Sequence, residues 1–80
     1  MTNNFTIACS KENLILIRKF INESLKEIGL RTTDLNLIVL AIDEVCANLI
    51  IHSNECNQDK KINIICEYNT DDNILQIIIK

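Results

Sequence analysis

Glu44, Asn48 and His52 stand four residues apart, the first two inside and the third just past the most apolar helix-like stretch of the chain, Leu35 to Ile51. At about 3.6 residues per turn, such a spacing runs nearly straight down one helix face. A carboxylate can accept a proton from an attacking hydroxyl, and an amide oxygen one turn away can ligate a hard cation. Groups of this kind are costly to bury unless something polar meets them. The spacing alone also fits a polar stripe of purely structural purpose, so the surrounding elements have to decide between the two.

Those elements are legible as periodicities. Asn4 to Cys9 alternate, with Phe5, Ile7 and Cys9 on one face, which predicts a half-buried strand. Ser10 is placed to cap a helix in which Leu14, Ile17, Ile21, Leu25 and Ile28 form one apolar face, and Gly29 ends it. Thr32 or Thr33 is expected to cap a second helix, Asp34 to about His52. Its middle is apolar on nearly every side, so it is expected to be the central, most buried helix. A loop from Ser53 to Asp59 follows. Ile62, Ile64, Cys66 and Tyr68 then share a strand face, Asn69 to Asn73 read as a turn, and Leu75, Ile77 and Ile79 line a last strand. The order β-α-α-β-β predicts one α+β domain over residues 1–80, a two-layer sandwich with two helices on one face of a sheet.

Composition narrows the function classes. Eighty residues allow one small domain, burying only ~60–65% of the surface the unfolded chain exposes. The net charge of −3 and the scattered lysines and arginines argue against nucleic acid as a partner. No signal peptide is evident, and no stretch is read as reaching the ~18–20 apolar residues that span a bilayer, so a cytoplasmic protein with no membrane partner is expected. Cys9, Cys46, Cys56 and Cys66 form no C-x-x-C pair and are expected to be reduced and free of zinc. Asp43 is expected to be solvated, as is the basic face of Arg18 and Lys19.

The segment Ala41-Ile-Asp-Glu-Val-Cys-Ala-Asn-Leu-Ile-Ile-His-Ser53 resembles the N box of the Bergerat-fold ATPases. That superfamily holds gyrase-type topoisomerases, histidine kinases and heat-shock chaperone ATPases. The likeness is greatest to its anti-sigma-factor serine kinase branch, with a histidine kinase-like ATPase domain and a box of the form Glu-x-x-x-Asn-x-x-x-His. The order of elements agrees, and the resemblance covers about residues 5 to 80. It implies that Glu44 is the catalytic base, that Asn48 ligates the Mg²⁺ bridging the phosphates of ATP, and that His52 lies beside the nucleotide. It further implies a kinase, an ATP-dependent transferase, whose protein partner is an anti-anti-sigma or sigma factor-like protein. A carboxylate in an apolar helix holds its proton more tightly, which suits a base working near neutral pH.

The chain departs from that pattern in its glycines. Gly29 is the only one, so the family's Asp-x-Gly-x-Gly segment has no counterpart here. The sequence stops at Gln76-Ile-Ile-Ile-Lys80 within an apolar strand, which reads as the N-terminal half of a fold cut in the middle. Such an edge is open to homo-oligomer formation. The alternative reading is a non-catalytic interaction module that binds a protein partner without nucleotide.

Overall fold

The computed structural model describes residues 1–53, 57 and 59–80. Its elements are β1 (Thr2–Ala8), α1 (Leu14–Ile28), α2 (Thr32–Asn48), β2 (Lys61–Asn69) and β3 (Ile74–Ile79). The strands form one antiparallel sheet in the order β1-β2-β3, and the two helices cover one of its faces. This is the expected α+β architecture.

Period-two alternation builds the sheet. Phe5 lies opposite Ile64 and Ile7 opposite Ile62, so their side chains share the covered face. The other face is largely polar: Asn63 Nδ2 donates to Asn4 Oδ1 at 2.6 Å and to Thr6 Oγ1 at 2.9 Å. Between β2 and β3 the Asn69 side-chain oxygen accepts the Asp71 N–H at 2.9 Å, and Asn73 takes φ 56°, which asparagine tolerates. Tyr68 Oη donates to Asn73 Oδ1 at 2.9 Å and pins the turn to β2.

The first helix begins less directly than expected. Ser10 is extended and precedes a 3-10 turn, Lys11–Asn13, but its hydroxyl donates to the Glu12 carboxylate rather than receiving a backbone N–H. That hydrogen bond holds the Glu12 pKa below its ordinary value. Gly29 does end α1, at φ 82°, its N–H bonded to the Lys26 carbonyl.

The second helix departs from expectation in three ways. Its first residue is Thr32, and the flanking extended residue is Arg31, so neither threonine caps it. It does not continue as an α-helix to His52: from Leu49 to Ser53 the turn widens to π geometry. Nor is it the most buried helix. Helix α1 buries Ile17, Ile21, Ser24 and Leu25, whereas α2 buries Ile42 and Cys46 and leaves Leu37, Leu40 and Val45 exposed. A helix packed on one sheet face and one neighbour has a single stripe to bury, and apolar residues outside that stripe stay in water.

The same run overturns the reading on apolar length. Thr32–His52 spans 21 residues and is long and apolar enough to cross a bilayer, because Asp43 and Glu44 are the charges between Leu35 and His52. In this fold it packs through Ile42, Cys46 and Ile50 against a core shared with Ile17, Ile21, Leu25, Ile62, Ile64 and Cys66. Within the expected loop, positions 54–56 and 58 lie outside the described residues, and with them Cys56. Asn57 and Asp59 form the tight turn into β2, the Asp59 N–H bonding Asn57 Oδ1 at 3.0 Å.

Candidate functional site

The buried stripe of α2 determines where its polar residues point. Ile42 and Cys46, one turn apart, face the core. Glu44 follows Ile42 by two residues, about 200° round the helix, and Asn48 follows Cys46 likewise. Both are exposed, on the side of α2 turned away from the core. Among the described residues, neither side chain makes a hydrogen bond or ion pair. The apolar surroundings expected for Glu44 are therefore not there: the helix buries its opposite side. What remains is a carboxylate and an amide oxygen one turn apart with their lone pairs available.

His52 is exposed too, but it lies in the π turn. Four α-helical residues advance about 400°, so a strictly α-helical stripe drifts about 40° at each step. The wider turn rotates less per residue and counters that drift between Asn48 and His52. Ile50 in this turn is fully buried, which anchors the segment beneath the histidine.

Asp43 is not simply solvated. Its Oδ1 accepts a hydrogen bond from Arg18 Nε at 2.5 Å, forming an ion pair between the two helices. Hydrogen bonding to Asp43 and its charge raise the Arg18 pKa above the ordinary value. This pair was missed in the sequence, although a signal exists. Arg18 follows buried Ile17 and Asp43 follows buried Ile42, so each charge sits at the rim of the same helix–helix seam. Beneath it, burial and the nearby Asp43 push the Cys46 thiol up to about 11, and burial raises that of Cys66. Both thiols are free and buried.

The donor set suits a cation that brings its own ligands. Among the described residues no three His, Cys, Asp or Glu side chains gather as a metal cage. Mg²⁺ needs no such cage, since it binds one or two protein oxygens and completes its octahedron with phosphate oxygens and water. The exposed Asn48 amide oxygen fits that requirement, with the Glu44 carboxylate one turn away. One surface depression lies by the hairpin among Met1, Tyr68, Asp72 and Gln76, and another beside the Phe5–Phe20 ring stack.

Neither a curated protein nor a solved structure matches the chain. A family model described as histidine kinase-like ATPase domain matches residues 7–80, from the inward-facing Ile7 of β1 to the residue after β3. With nearly every element inside that match, the chain belongs to the histidine kinase-like ATPase domain family.

Proposed function

We propose that this chain supplies the phosphate-binding side of an ATP site in a regulatory serine kinase of the anti-sigma type. Domains of its family bind nucleotide, usually with Mg²⁺. In this reading the N box is carried by α2: Glu44 is the base that takes the proton from the attacking hydroxyl, and Asn48 offers its amide oxygen to Mg²⁺ on the phosphates. His52 closes the box beside the nucleotide. The observation that carries the reading is the pair Glu44 and Asn48, one turn apart and exposed on the free side of α2 within a domain of this family. The protein acts in the cytoplasm on an anti-anti-sigma or sigma factor-like partner.

The only glycine, Gly29, lies at a helix end, so these residues hold no glycine-rich segment to read adenine. The 80 residues should therefore bind Mg-ATP with a dissociation constant weaker than ~100 μM, or less than ~5.5 kcal/mol. Backbone amide shifts followed by NMR test this at millimolar ligand. Mg-ATP and Mg-tripolyphosphate should both move the amides of residues 44–52, adenosine should not, and Asn48→Ala should remove the response. Shifts centred elsewhere, or an equal response to adenosine, would rule the reading out.

A second reading is a non-catalytic module that binds a protein partner without nucleotide. It is favoured by Leu37, Leu40 and Val45, exposed at 63%, 65% and 51% on the same helix. In that case the polyphosphate titration is silent.

A further inference from the structure

Two carboxylates stand side by side in α2, and the fold treats them differently. Asp43 and Glu44 are the charges between Leu35 and His52. Glu44 is exposed and makes no hydrogen bond or ion pair among the described residues. Asp43 Oδ1 accepts from Arg18 Nε at 2.5 Å across the helix seam. With that pair formed, the segment presents one uncompensated negative charge instead of two.

The difference matters to an anionic ligand. Asp43 precedes Asn48 by five residues, about 7.5 Å along the helix axis. At ~0.1 M salt the screening length is about 10 Å, so phosphates held at Asn48 feel the Asp43 carboxylate unless a cation stands beside it. A base has to keep its charge to take a proton, so repulsion from Glu44 comes with its role. Asp43 has no such role, and its repulsion can be removed. Arg18 suits the task, because a guanidinium stays charged at every working pH. The pair adds little to stability, its side chains being 46% and 26% exposed, so its effect falls on what binds beside it.

We infer that Arg18 is a positioning residue of the phosphate site that acts through Asp43. It masks the carboxylate next to Glu44, so that the phosphates of ATP meet one negative charge in α2 rather than two. The inference rests on the phosphate-binding reading above and adds to it a residue of α1, outside the N box. It also makes the charge of the site depend on the docking of the two helices, since the masking cation and the masked carboxylate come from different ones.

Titration with Mg-tripolyphosphate, followed by the amide shifts of residues 44–52, tests this, with the fold of each variant checked by circular dichroism. Arg18→Ala should weaken binding about threefold to tenfold, whereas Arg18→Lys keeps the charge and should stay within about twofold of wild type. Arg18→Ala combined with Asp43→Asn has the net charge of wild type and should recover its affinity. The gap between wild type and Arg18→Ala should narrow from ~0.1 M to ~1 M salt, where the screening length falls to ~3 Å. A wild-type chain that does not respond overturns the phosphate-binding reading and this inference together. A wild-type response with undiminished affinity in Arg18→Ala overturns the inference alone. So does a double variant as weak as Arg18→Ala, which would mean that Arg18 does not act through Asp43, and so does a gap that salt leaves unchanged.

Discussion

Arg18 Nε donates to Asp43 Oδ1 at 2.5 Å, which ties the middle of α1 to the residue immediately before Glu44. Along an α-helix, neighbouring residues point about 100° apart. A contact that turns Asp43 toward α1 therefore helps to turn Glu44 away from it. The pair sits at the rim of the helix seam, with the two side chains 46% and 26% exposed.

Partial exposure limits what this pair contributes. Arg18→Ala and Asp43→Ala should each lower the melting temperature by less than about 8 °C, and the double variant by little more than either alone. Salt near ~1 M should shrink the difference from wild type, since an exposed pair is screened. Additive losses that persist in salt would show that each residue acts separately.

The second prediction separates the two sides of α2. Ile42 is 7% exposed and Leu40 is 65% exposed. Ile42→Ala should cost about 2–4 kcal/mol, through lost burial and the cavity left behind. Leu40→Gln should stay within about 0.5 kcal/mol of wild type. Urea unfolding of both variants checks this, and equal losses would mean that α2 is covered on all sides.

That difference also explains what could be read from the sequence. In α1 the stripe Ile17, Ile21, Leu25 stands out because polar residues separate its members, so its buried face has a phase. In α2 apolar residues lie on nearly every side, and Leu37, Leu40 and Val45 outside the buried stripe blur the phase from which a face could be chosen. The strands were legible because alternation against a one-sided layer must follow the pleat: Phe5 and Ile7 face inward with Ile62, Ile64 and Cys66. For the candidate site, the spacing of Glu44 and Asn48 was visible, but their exposure was not. Exposure depends on which stripe of α2 meets α1, a tertiary choice. The π turn at Leu49–Ser53 has no local sequence signal, and the Arg18–Asp43 pair exists only once the helices have docked.

The buried thiols make stability fall at high pH. Burial raises Cys46 from 9.0 to about 11 in the folded chain. Between those values the unfolded chain releases this proton while the folded chain keeps it, so the unfolded state binds fewer protons and stability declines as pH rises. The contribution is complete below pH 9 and is lost on the way to about pH 11, at roughly 2–3 kcal/mol for a shift of this size. Cys66, shifted in the same direction, steepens the fall. Urea unfolding from pH 8 upward measures it, with Cys46→Ala as the comparison. The variant should lose less stability over this window, and parallel curves would mean that Cys46 titrates alike in both states.

The last prediction puts the catalytic assignment at risk and needs a form of the protein that turns over ATP. If Glu44 is the base, Glu44→Gln keeps the shape of the side chain and should leave nucleotide affinity nearly intact while lowering turnover by ~10²–10⁴. If Asn48 ligates the metal, Asn48→Ala should weaken Mg-ATP binding and also lower turnover, because a contact to the phosphate-bound ion is gone. A structural polar stripe behaves differently. Both residues are exposed and make no hydrogen bond or ion pair among the described residues, so neither change should cost much stability. Any loss of activity would then follow the folded fraction. The quantity to measure is turnover per folded molecule, with a melting curve for each variant. Wild-type turnover per folded Glu44→Gln molecule rules out the base, and undiminished Mg-ATP affinity in Asn48→Ala rules out the ligand.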